Sequence, residues 1–83
     1  MIEIYGKLGC SYCERSKALC ETRNLKFTYY QLDADFTRDE LFERFPTAKT
    51  FPQIRIASNV IGGYNELVKY LEETGYTGTG HSL

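Results

Sequence analysis

The order of hydrophobic periods in the first third of this chain limits its fold more than any other feature. Ile2-Glu3-Ile4-Tyr5 alternates and is β-branched or aromatic, which reads as a strand, and Gly6 ends it. Residues 11 to 23 are rich in Glu, Arg, Lys, Ala and Leu, a helical composition, with Asn24 as the stop. The stretch 26–32, Lys-Phe-Thr-Tyr-Tyr-Gln-Leu, then reads as a second strand. A strand, helix and strand in that order close as a right-handed crossover onto a parallel pair.

The same reading carries through to residue 75. Asp33-Ala34-Asp35 is a polar break, and Thr37 with Glu40 forms a capping box. That box opens a short helix to about Arg44, with Leu41 and Phe45 on one face and Pro46 closing it. Gln53-Ile54-Arg55-Ile56 alternates as a third strand, Ser58-Asn59 reads as a turn pair, and Val60-Ile61 as a short fourth strand broken by Gly62-Gly63. Asn65 is the expected cap of a last helix from Glu66 to about Thr74, with Leu67, Val68 and Leu71 as its buried stripe and Gly75 as its stop. The expected order is β-α-β-α-β-β-α, an α/β fold with a four-stranded mixed sheet flanked by helices. Residues 1–75 form one domain, and residues 76–83 are expected to be a flexible tail.

Eighty-three residues make one small domain, whose core is expected to rely on large Phe, Tyr and Leu side chains. Seven Tyr and five Phe are available, and there is no Trp. Ten basic and eleven acidic groups leave a net charge of −1, without the basic footprint of a nucleic-acid binder. No apolar run approaches the length of about 18 residues that would suggest a membrane span. The start, Met1 to Tyr5, lacks the basic and apolar regions of a signal peptide, so the expected location is the cytoplasm.

Three cysteines, Cys10, Cys13 and Cys20, are an odd number, which argues against a secreted disulfide scaffold. Cys10-Ser11-Tyr12-Cys13 is a single C-x-x-C pair with no second pair to complete a zinc tetrahedron, and the one histidine, His81, lies in the Gly-rich tail. No metal site is therefore expected. Cys10 falls where the first helix begins, and unpaired amides and the helix dipole favour an anion there. Those forces bring a thiol pKa down from about 8.5 toward roughly 3.5–7.5. Lys7 stands three residues upstream and adds positive charge. Cys13, one turn further in, is expected to be less exposed and less acidic, so the pair divides into attacking and resolving thiols. A chance pair that merely packs is the bland alternative, but a strand-to-helix junction in a β-α-β pattern is the setting that redox chemistry needs. Cys20 lies about 10 Å further along the helix and is expected to fill core.

Other residues carry two readings each. Tyr12 is a core aromatic or, as its loop position favours, part of an exposed rim. Lys7 is a solvated charge or a functional one. Pro52 is a strand-edge proline or a cis-proline. Asn65 and Glu66 cap a helix, or the same helix start holds a carboxylate.

Four motifs together resemble the glutaredoxins of the thioredoxin-like superfamily, in particular the small dithiol members of bacteria and phages. They are Lys7-Leu8-Gly9-Cys10-Ser11-Tyr12-Cys13, Thr50-Phe51-Pro52-Gln53-Ile54, Ile61-Gly62-Gly63 and Tyr64-Asn65-Glu66-Leu67. The resemblance implies that Cys10 takes glutathione from a mixed disulfide and that Cys13 resolves protein disulfides. It implies a glutathione groove formed by Lys7, Tyr12, Thr50, Phe51, Pro52, Gly63, Tyr64, Asn65 and Glu66. Lys7, assisted by Lys49, would lie near a glutathione carboxylate, Phe51 would pair its backbone with the glutathione cysteine, and Tyr64 to Glu66 would hold the γ-glutamyl end. The sequence departs from the family pattern at Ser11, where Pro is commonest, at Phe51, where Val is usual, and at Glu66, where Asp is usual. The implied activity is glutathione-dependent reduction of protein disulfides and glutathione mixed disulfides. Glutathione would be co-substrate with no tightly bound cofactor, ribonucleotide reductase one client, and the protein a monomer. The alternatives are a redoxin fed by thioredoxin reductase and a carrier of an iron–sulfur cluster ligated by glutathione.

Overall fold

A computed structural model describes residues 1–76; His81 and the other residues from 77 onward lie outside the described residues. Within them the chain forms β1 (Ile2–Gly6), α1 (Ser11–Thr22), β2 (Phe27–Gln31), α2 (Arg38–Arg44), β3 (Gln53–Ile56), β4 (Asn59–Gly62) and α3 (Tyr64–Thr74). The four strands make one sheet in the order β2-β1-β3-β4. β1 and β2 are parallel, and β1–β3 and β3–β4 are antiparallel. The element order and the mixed sheet are those expected from the sequence.

Strand alternation divides the sheet into two chemically different faces. Ile2 and Ile4 of β1 stand opposite Ile56 and Ile54 of β3, and all four are buried together with Cys20, Leu25, Leu67 and Leu71. On the other face, Tyr5 gathers Phe36, Leu41 and Phe45 into a smaller cluster. Tyr5 meets Phe36 and Phe45 edge-on, each at 5.2 Å between ring centroids, and stacks on Tyr30 at 4.9 Å. Tyr and Phe thus dominate the smaller cluster, and the larger one combines the expected leucines with four isoleucines. Branched residues suit the pleat of β1 and β3, and leucines suit the helix faces that cover it. A Glu3–Arg55 ion pair at 2.6 Å bridges β1 and β3 on the face of the smaller cluster.

Local chemistry sets the ends of the elements. Asn24, just after α1, takes a left-handed conformation (φ 56°). The Thr37 capping box forms as expected, with the Glu40 N–H donating to Thr37 Oγ1 at 3.2 Å and the Thr37 N–H donating to Glu40 Oε1 at 2.8 Å. Other boundaries differ from the sequence reading. The β3–β4 turn is Ala57-Ser58, with φ 50° and 71°, so Asn59 already belongs to β4. Two positive-φ residues match the twist of a two-residue hairpin, a role that Ala and Ser rarely signal. The cap of α3 is Gly63 rather than Asn65, which lies within the helix; the Gly63 N–H donates to Glu66 Oε1 at 2.8 Å. Tyr76 packs on the larger cluster with its ring 6.1 Å from Tyr70. Of the expected α3 stripe, Leu67 and Leu71 are buried and Val68 is partly exposed.

The seven-residue helix α2 is too short to be stable in isolation and relies on its cap as well as its packing. Thr37→Ala should therefore lower stability by about 1 kcal/mol, and Thr37→Ser should restore most of it. Urea unfolding of the three proteins measures both.

Candidate active site

The site forms where β1 ends and α1 begins. Gly9 has a positive φ (71°), and the chain reaches Cys10 in an extended conformation as the N-cap of α1. The Cys13 N–H donates to Cys10 Sγ at 3.1 Å, so sulfur occupies the acceptor position usually held by a Ser, Thr, Asn or Asp oxygen. Deeper in the first turn, Ser16 Oγ donates to the Tyr12 carbonyl at 2.8 Å. Cys10 and Cys13 are joined as a disulfide with Cα atoms 5.2 Å apart. Cys10 is partly exposed and Cys13 is fully buried, the division expected of attacking and resolving sulfurs. In the opened pair, a Cys10 thiolate would keep both the amide donor and the positive end of the helix dipole.

Cys13 fits because β1 ends in glycine. A Cβ on Gly6 would stand 3.0 Å from Cys13 Sγ and collide with the Tyr29 side chain. Cys20 is a free thiol inside the larger cluster, as expected of core filler. Burial, with a smaller effect from Glu21, pushes its pKa from 9.0 up to about 11.

A second stretch of chain leads into β3, whose Gln53 pairs with Tyr5 near the end of β1. The Phe51–Pro52 peptide bond is cis, and Gln53 Nε2 donates to the Thr50 carbonyl at 2.7 Å. Past the hairpin, Gly62 takes a φ of 122° with the Glu66 side chain packed over it, and Gly63 opens α3. An open cleft of about 290 Å³ lies between these parts, lined by Tyr12, Thr50, Phe51, Pro52, Gly63, Tyr64, Asn65 and Glu66. The Tyr12 and Tyr64 rings meet across it at 5.8 Å. Tyr12 is about half exposed, a rim residue rather than a core one. Residues from the first turns of α1 and α3 thus border one cleft, an electrostatic setting suited to an anionic ligand.

The cleft gathers eight of the residues that the sequence marks for ligand contact. Lys7 stands outside that lining, with its ammonium 5.6 Å from the centre of the Phe51 ring. Lys49 lies in a small adjoining hollow with Thr50 and Phe51. Arg38, not singled out from the sequence, also places its guanidinium over the Phe51 ring, at 5.9 Å. It begins α2, and only the fold brings it to the loop before β3. One Glu66 carboxylate oxygen caps α3, so this residue has a structural task on the lip of the cleft.

The model of the Glutaredoxin family matches residues 2–61. Glutaredoxin 3 of Escherichia coli is 35% identical over 66 residues, covering 80% of each chain. The solution structure of reduced E. coli glutaredoxin superposes with a TM-score of 0.74 at 29% identity, covering 87% of this chain and 93% of that one. The crystal structure of a buckwheat glutaredoxin–glutathione complex gives a TM-score of 0.74 at 21% identity over 92% of this chain and 71% of that one, a likeness of fold.

The raised Cys20 pKa has a consequence for stability. The folded state holds this proton more tightly than the unfolded state, so its contribution is complete below about pH 9 and is lost as pH rises toward about 11. Burial also raises the phenol pKa values of Tyr5, Tyr29 and Tyr76, which adds to the fall at the alkaline end. Urea unfolding of the oxidised protein should show stability dropping by an amount on the order of 2 kcal/mol across that window. Cys20→Ala should make the drop shallower.

Proposed function

The chain belongs to the glutaredoxin family of thiol–disulfide oxidoreductases, and we propose that glutathione is the reductant its Cys10–Cys13 pair uses. In this scheme the Cys10 thiolate attacks a client disulfide, bonds to one client sulfur and releases the other as a thiolate. Cys13 then attacks Cys10 Sγ, releases the second client thiolate and closes the Cys10–Cys13 disulfide. One glutathione thiolate opens that disulfide at Cys10, and a second takes the first off as glutathione disulfide. With a glutathione mixed disulfide as substrate, Cys10 alone is sufficient: it accepts the glutathionyl group, and free glutathione removes it.

The cleft that Tyr12, two residues from Cys10, helps to line carries this reading. Tyr12, Thr50, Phe51, Pro52, Gly63, Tyr64, Asn65 and Glu66 come from separate parts of the sequence and line one concave surface. A small tripeptide with two carboxylates suits its charge pattern. The start of α3 would receive the γ-glutamyl carboxylate, and Lys7, with Arg38 beyond it, would attract the glycine carboxylate past the Phe51 ring. The Phe51 backbone would pair with the glutathione cysteine, as in extended-strand recognition. Glu66, already committed to its cap, would act through its second oxygen.

Protein disulfides are the proposed clients, ribonucleotide reductase among them by family resemblance. The protein acts as a monomer in the cytoplasm, where a glutathione pool is maintained and a buried thiol such as Cys20 stays reduced.

Disulfide reduction coupled to glutathione and glutathione reductase tests the proposal. Cys10→Ser should fall to the uncatalysed background. Cys13→Ser should keep removing glutathione from mixed disulfides while losing dithiol reduction of protein disulfides. Equal or faster turnover with thioredoxin reductase in place of glutathione would overturn the choice of reductant.

A further inference from the structure

One side chain beside the disulfide has no part in the scheme above. Tyr29 of β2 pairs with Ile4 in the parallel register and is half-buried against the larger core cluster. Its ring leans along the strand, so that the hydroxyl comes over Gly6. Tyr29 Oη and Cys13 Sγ both crowd the place where a Gly6 Cβ would be, so the phenol and the resolving sulfur face the same small space beside Gly6. The ring is held from the α1 side by Lys17, whose ammonium lies 4.4 Å from the ring centre and pairs with Glu14 at 3.2 Å. Those are the charged groups that face the phenol; from β1 it meets the uncharged Ile4 and Gly6.

Opening the disulfide puts a demand on this place. A thiolate that attacks Cys10 Sγ forms a new S–S bond there, breaks the Cys10–Cys13 bond and leaves the electron pair on Cys13 Sγ. That sulfur has no exposed surface, and a buried anion without a hydrogen bond is costly. The Cys13 amide already points at Cys10 Sγ. We propose that the Tyr29 hydroxyl donates a hydrogen bond to Cys13 Sγ as that sulfur leaves, stabilising the thiolate that forms there. This rests on the dithiol scheme above but holds for any attacking thiolate. Burial raises the phenol pKa, with Lys17 opposing and Glu14 adding, so the donor keeps its proton while the thiols react.

Tyr29→Phe removes only the hydroxyl and preserves the ring contacts. Rapid mixing of the oxidised protein with glutathione and, separately, with 2-mercaptoethanol measures disulfide opening. The variant should open roughly ten- to a hundredfold more slowly with either thiol, the scale of a hydrogen bond to a charged group. In a Cys13→Ser background, where Cys13 Sγ is absent, Tyr29→Phe should leave removal of glutathione from mixed disulfides unaffected. In a Cys10→Ser background it should raise the Cys13 thiol pKa. The 2-mercaptoethanol arm reports on Tyr29 whatever the standing of glutathione, so a failure there is separate from a failure of the proposed reductant. Opening at the wild-type rate, or equal slowing of the Cys13→Ser reaction, would overturn the assignment.

Discussion

A sulfur atom caps the first helix, and the rest of the site depends on it. By accepting the Cys13 N–H, Cys10 Sγ fixes where α1 starts and binds its own reactivity to that start. The same bond places Cys13 one turn inside the helix, against the end of β1. The burial of the second sulfur and the polarisation of the first thus have one structural origin. Gly6 is the strand-side counterpart, because a side chain there would push Cys13 and Tyr29 apart.

The sheet turns this local arrangement into a cleft. β1 is central, parallel to β2 and antiparallel to β3, so its C-terminal end delivers Cys10 to the edge where β3 begins. The Thr50–Pro52 loop is therefore brought to the end of β1 by strand register. The hairpin then carries β4 back to the same edge, where Gly62 and Gly63 let α3 start close against the loop. Two hydrophobic clusters, one on each face, hold these connections in place.

Much of this was legible in the sequence, because the strongest signals are local. Alternation marked β1 and β3, Thr37 and Glu40 announced α2, and the C-x-x-C pair at a strand-to-helix junction announced the redox site. Legibility failed where a conformation has weak chemical markers or a contact depends on the whole fold. Ala57 and Ser58 adopt the positive φ values usually taken by Asn or Gly, so the hairpin register was read one residue late. Gly63 caps α3 with backbone alone and borrows the Glu66 carboxylate, which made Asn65 look like the cap. Arg38 over Phe51 and Tyr29 over Gly6 are long-range meetings that no spacing reveals. The four isoleucines of the larger cluster were not singled out for a related reason. Aromatics are conspicuous in the sequence, but their allocation between rim, small cluster and large cluster is decided by which face of the sheet each meets.

The unequal exposure of the two sulfurs also fixes how exchange is routed. A visiting thiol or disulfide can reach Cys10, whereas Cys13 is reachable only from within the molecule. Every exchange with another molecule must pass through one atom, in either direction, as traffic through a single gate. The gate does not choose the direction of flow, because the surrounding thiol pool and the client set that balance. It does determine which mixed intermediate exists, the one on Cys10, and so separates the order of bond exchange from its final equilibrium.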